Sequence, residues 1–153
     1  MLTDAENNLN TKTCTLENLQ TLFGLNTTSV TIAIPETYLK VIAAQPYTLL
    51  APPGDGYVYD VSEIVSLMIP GSTPYNFVNT LNITQGAIQE PLPLLLLNAT
   101  SKKVYKNDPS PAEFIPENSG LVLSGIASPN EPFGNGPLYI NITYRKLKLD
   151  STF

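Results

Sequence analysis

The sequence predicts an all-β domain, an antiparallel β-sandwich or jelly roll, preceded by an N-terminal arm or short helix. Three observations carry that expectation. From Ser29 onward apolar residues alternate with polar ones at period two, the repeat that lays one side of a strand on a core. Seven to nine such runs, most of them short, are separated by Pro- and Gly-rich turns. The chain also carries 14 prolines, which suit loops and would break helices.

Residues 1–28 stand apart from the rest. Asp4 to Asn10 is polar and weakly patterned, whereas Thr15 to Gly24 has leucines at helical spacing and a glycine that could close a short helix. The segment reads either as an arm or helix that docks on a neighbour, or as a helix packed on its own domain. Residues 29–153 then form the β-domain.

Val30, Ile32 and Ile34 alternate with Thr31 and Ala33 and mark a half-buried strand ended by Pro35. Tyr38–Ala43 and Tyr47–Leu50 follow on either side of Gln45-Pro46. Ala51-Pro52-Pro53-Gly54-Asp55-Gly56 is a strong turn signal. Tyr57–Ile69 reads as one long strand, with Tyr57, Tyr59, Val61, Val65, Leu67 and Ile69 on one parity. After the break at Pro70–Pro74, Phe77, Asn79, Leu81 and Ile83 mark another strand. Pro91–Leu97 and Lys103–Lys106 are further apolar or β-rich pieces, and Phe114-Ile115 follows a Pro-rich loop. Leu121–Ser124 is bracketed by glycines. A long loop, Ser128–Pro137, precedes a last strand with Leu138, Ile140, Ile142 and Tyr144 on one side and Tyr139, Asn141, Thr143 and Arg145 on the other. No convincing helix is expected after residue 28.

Composition narrows the function. Only 14% of residues are charged, against roughly 25% in soluble domains. Such a surface suits either packing against other subunits or a merely polar, uncharged exterior. With 8 basic residues and a net charge of −5, phosphate neutralisation is poorly served and no nucleic-acid partner is expected. The small basic groups, Lys102, Lys103, Lys106 and Arg145, Lys146, Lys148, read as a solvated face or as a patch pairing with an acidic neighbour subunit. The longest apolar stretch, Leu92–Leu97, is far short of the ~20 residues of a membrane span, so no membrane partner is expected either. Met1–Glu6 has neither the basic start nor the apolar run of a secretory signal. A soluble protein made in a reducing cytosol is the expectation.

Catalytic chemistry is scarce. The chain has no histidine, which removes His-based triads, dyads and zinc sites. The single cysteine, Cys14, has no partner for a disulfide and no imidazole to activate it, so it reads as a structural thiol. Paired carboxylates are the remaining option. Of the nearest cluster, Asp55 lies in a turn, while Asp60 and Glu63 have opposite parity and should face opposite sides of their strand. Asp55 and Asp60 lack the ligand spacing of an EF-hand loop. Gly54-Asp55-Gly56 and Gly134-Asn135-Gly136 are neither Walker A nor dinucleotide fingerprints and read as loop glycines. The eight tyrosines read as core or inter-subunit packing rather than a ligand platform. No catalytic, cofactor-binding or metal residue is expected.

Thr48–Val61, with its Ala51-Pro52-Pro53-Gly54-Asp55-Gly56 turn, resembles a pattern in small virion proteins of tailed bacteriophages and prophages. Gly71-Ser72-Thr73-Pro74-Tyr75, Gly134-Asn135-Gly136-Pro137-Leu138 and Ile142-Thr143-Tyr144-Arg145 match later parts of the same pattern. The resemblance covers about residues 29–149. It departs at Pro53, where a small residue is usual, and the N-terminal arm has no counterpart in it. It implies a non-enzymatic virion component: a β-sandwich subunit, often a homotrimer, assembled in the host cytoplasm. Its expected partners are copies of itself and the major capsid protein or other virion proteins. Capsid decoration or head fibre is the first expectation; a tail, baseplate or fibre subunit contacting a host receptor is the second. A small carbohydrate-binding module is the alternative from another class, disfavoured by the absence of Trp.

Overall fold

The computed structural model describes residues 26–109, 115–126 and 133–149. Residues 1–25 of the proposed arm, with Cys14, and Phe114 and the first part of the Ser128–Pro137 loop lie outside the described residues, while Thr28, placed in the arm, begins the first strand. Eight strands are present among the described residues: β1 (Thr28–Ile34), β2 (Tyr47–Leu50), β3 (Tyr57–Met68), β4 (Leu81–Gln85), β5 (Ile88–Leu92), β6 (Lys103–Asn107), β7 (Leu121–Gly125) and β8 (Leu138–Lys148). They form two four-stranded antiparallel sheets, β1-β8-β3-β6 and β2-β7-β4-β5. The pairs β1/β8, β2/β7, β3/β6 and β4/β5 are the rungs of one long hairpin. Wrapping that hairpin into two layers gives this order, so the sandwich is a jelly roll.

The core lies between the sheets. In register across the first sheet, its inner side carries three rows: Ile34–Leu138–Met68–Lys103, Ile32–Ile140–Ser66–Tyr105 and Val30–Ile142–Ile64–Asn107. Leu49, Leu121, Leu123, Leu81, Ile83 and Leu92 face them from the second sheet. A fully buried side chain of this kind contributes about 1.5–3 kcal/mol. Two side chains tie the layers together: Gln85 Nε2 donates to Tyr59 O (2.8 Å) and Asn107 Nδ2 to Pro91 O (3.3 Å). A small cleft of about 20 Å³ opens beside the first tie, between Ile64, Ile83, Gln85, Ile88 and Glu90.

Three expectations are corrected. First, Tyr38–Ala43 is not extended: Glu36–Leu39 forms a one-turn helix, α1, behind Pro35. Tyr38 N and Leu39 N bond to Pro35 O, and Leu39 and Ile42 are buried at i, i+3, a helical spacing. Second, Pro93 ends β5 in the same way and starts a second turn, α2 (Leu94–Leu97), so the leucine run splits between strand and helix. Proline sets φ near −65° and needs no donor, which suits a helix start. The expected absence of helix after residue 28 therefore fails twice. Third, β4 begins at Leu81, leaving Phe77 and Asn79 in the loop before it.

The long strand β3 also fails to keep one face inward. Its register against β8 slips between Val61 and Glu63, leaving Ser62 as a bulge whose hydroxyl donates to Thr143 O (3.1 Å). An extra residue reverses the alternation. Tyr59 and Val61 pack on the core before the bulge; Ile64, Ser66 and Met68 are buried after it, and Val65 and Leu67 turn outward.

Candidate functional site

The bulge decides the carboxylates too. Asp60 and Glu63, expected on opposite sides, both lie on the outer side of the first sheet, where each meets a cation. Asp60 accepts from Arg145, its register partner in β8, through Nε (2.9 Å) and Nη2. Lys106 bridges Glu63 (2.8 Å) and Asp108 (3.2 Å), and those two carboxylates hold its ammonium above the ordinary lysine range. Lys146 sits 4.4 Å above the Tyr57 ring. Asp60, Glu63, Arg145, Lys106 and Lys146 are thus matched within the chain, and both carboxylates are salt-bridge partners. Among the described residues no group of three metal-ligating side chains occurs.

The turn at Pro52–Gly56 belongs to the same end of the sandwich. Asn118, at φ +48°, accepts from Gly54 N (3.0 Å) and donates to Asp55 (2.6 Å), while Glu117 accepts from Gly56 N (2.7 Å). Asp55 therefore serves the turn, as its glycine neighbours suggest.

The opposite end differs in kind. Antiparallel register places there the β1–β2 connection with α1, the β3–β4 loop, α2 and the approach to β8. Hydrogen bonds join these four pieces into one rim. Ile69 N bonds Pro137 O, Gly71 N bonds Asn135 O and Asn135 N bonds Thr73 O, so the β3/β8 ladder continues irregularly past its end. Asn76 N bonds Phe133 O (3.2 Å), and Asn76 Oδ1 accepts from Phe133 N (2.5 Å). Asn98 clamps α2 to Phe77, accepting from its N–H (2.7 Å) and donating to its carbonyl (2.8 Å). Glu36 of α1 accepts from Gly136 N (3.3 Å).

The Gly134-Asn135-Gly136 element is the keystone of this rim. Gly134 has φ +132° and Gly136 φ +115°, where side chains are strained. A Cβ on Gly134 would lie 2.6 Å from the Tyr75 backbone, and one on Gly136 would overlap the Ile69 carbonyl. Tyr75 donates its hydroxyl to Gly136 O (2.7 Å). Burial, with a smaller contribution from the Glu36 carboxylate, pushes that phenol up to about 12.

Seven large apolar side chains are exposed among the described residues: Tyr38, Val78, Leu95, Val104, Ile126, Phe133 and Leu149. All but Val104 and Leu149 sit on this rim, with Leu95 73% and Phe133 71% exposed. Val104 stands one residue inside β6 at the same end. It completes an outward row that crosses the whole sheet in register, Ala33–Tyr139–Leu67–Val104. The next outward row, Thr31–Asn141–Val65–Lys106, is mixed, and the one beyond carries Ser29, Thr143 and Glu63. Apolar character therefore fades from the rim towards the charged end. Described charges on the rim loops are few: Glu36 and Lys40, paired at 3.6 Å, and Lys102.

Sequence reasoning did not find this surface: Val65 and Leu67 share the parity of Tyr59 and Val61 in the chain, and only the bulge at Ser62 turns them outward. The chain matches no protein-family model and no curated protein.

Proposed function

We propose that this chain is a structural subunit of a tailed-phage particle, a capsid decoration or head-fibre protein that coats or stabilises the shell through subunit contacts. One observation carries the reading: an apolar rim, almost free of charge, caps one end of the jelly roll and runs onto the adjoining sheet face. Contiguous exposed apolar surface of this kind favours association in water, and its scarcity of charge favours a protein surface of similar character over a polyanion. The fold supports the reading only as one of several it serves, since jelly rolls occur in viral capsids, lectins and cupins. The turn motifs that resemble phage virion proteins add the choice among these.

The test is native mass measurement and shell binding by the purified chain, beside a Leu95→Asp/Phe133→Asp double variant. The expected result is a trimer that binds capsid shells lacking it. Burial of the two side chains at a contact implies a loss of affinity of roughly 100- to 10,000-fold in the variant, with unchanged circular dichroism. A monodisperse monomer with no affinity for shells defeats the proposal. Binding to tails or host cells moves the subunit to the tail, and binding on a glycan array makes it a lectin.

A further inference from the structure

Asn135-Gly136 is the one Asn-Gly pair in the sequence. Asparagine before glycine is the pairing most prone to self-modification, because glycine has no side chain to hinder attack by its own nitrogen. In that reaction the Gly136 nitrogen bonds to Asn135 Cγ, the bond from Cγ to Nδ2 breaks, and ammonia leaves with the proton from Gly136. Water then opens the cyclic imide, giving aspartate if it attacks the side-chain carbonyl carbon and isoaspartate if it attacks the main-chain one.

Every group this chemistry needs is tied down in the rim. Asn135 Oδ1 accepts from Thr73 N (2.8 Å), Nδ2 donates to Ser72 Oγ (3.1 Å), and Gly136 N donates to Glu36 Oε2 (3.3 Å). The amide thus reaches across to the β3–β4 loop and not back along its own chain. Swinging Cγ back onto its own backbone nitrogen draws the amide away from Ser72 and Thr73, so ring closure requires the two loops to part. The products fit the closed rim badly. Aspartate has no proton to replace the Nδ2 donor and adds a carboxylate to a stretch that carries no charge of its own. Isoaspartate lengthens the main chain beside Gly136, where not even a Cβ fits against the Ile69 carbonyl.

We propose that Asn135-Gly136 is a self-modification site, held inert while the rim is closed and converted irreversibly when it opens, so that the rim cannot close again in its original form. This stands whether or not the rim meets other virion proteins.

The full chain is incubated in mildly alkaline buffer, folded or in denaturant, and residue 135 is followed by peptide mass spectrometry that distinguishes aspartate from isoaspartate. Conversion in the folded protein is expected to be slower by about tenfold or more, the mark of chemistry that waits on local opening. Ser72→Ala and Glu36→Ala, each checked for native circular dichroism, should speed it several-fold. The converted fraction, separated by anion exchange, should show faster amide exchange at Gly71, Thr73 and Asn76. Equal rates in folded and denatured protein overturn the proposal. So does slower conversion in Glu36→Ala, which would make the carboxylate a base that promotes the attack. Unchanged amide exchange in the converted protein removes the claim that the rim fails to reclose.

Discussion

Ser66 sits in the middle of the inner row Ile32–Ile140–Ser66–Tyr105, wholly buried, and its hydroxyl has no hydrogen-bond partner among the described residues. Replacing it with alanine is expected to stabilise the protein. An unsatisfied buried hydroxyl costs about 1–3 kcal/mol. Against that gain stand two smaller losses. Removing one oxygen leaves a void of roughly 10 Å³, about 0.2 kcal/mol at the usual cost per volume. Alanine's poorer fit in strands costs a few tenths more. The hydroxyl dominates, for a net gain of about 0.5–2 kcal/mol. At about 2–4 °C per kcal/mol for a chain of this size, Tm should rise by about 1–8 °C. Urea unfolding followed by circular dichroism gives the check: Ser66→Ala should move the midpoint upward with the slope unchanged. A loss of 1 kcal/mol or more would show that the hydroxyl is satisfied, and would refute the reasoning.

The remaining predictions concern the rim. Asn98→Ala removes both bonds to Phe77 and should cost about 2–3 kcal/mol, at roughly 1–1.5 kcal/mol per bond; a change under about 0.5 kcal/mol in urea unfolding would show that the clamp carries no stability. The Tyr75 phenol, raised from 10.0 to about 12 by burial and then by Glu36, should make the fold sensitive to alkali. In the unfolded chain the phenol loses its proton first, so the stabilisation is intact below pH 10 and is lost as pH climbs towards 12. After discount for screening near the rim, the loss is on the order of 1–2 kcal/mol. Thermal melts across that interval should show it, and Tyr75→Phe should reduce the slope; an identical pH profile in the variant would refute the assignment.

Much of the sandwich was legible because its signals are local. Alternation in Val30–Ile34 and Leu138–Tyr144 marks β1 and β8, and Gly120 and Gly125 bracket β7. The helical turns were missed because each is a single turn: α1 and α2 owe their conformation to Pro35 and Pro93 and to the burial of Leu39, Leu96 and Leu97, not to any propensity a short window could register. The β3 parity was misread for a different reason. A bulge is a relation between two strands, and nothing in Val61-Ser62-Glu63 alone announces that Ser62 has no partner across the ladder.

By itself, then, the sequence determined the class of fold, most strand positions and the places where the chain turns, because alternation, proline and glycine act over a few residues. It also determined that the chain brings no imidazole of its own, since a side chain that is absent cannot be supplied by folding. Only the tertiary structure decided which face of each strand meets water, that Asp60 and Glu63 share a side, and that four loops distant in sequence close into one apolar rim. Those are properties of register and of the wrapping of one hairpin into two layers. They are set where strands far apart in the chain first come into contact.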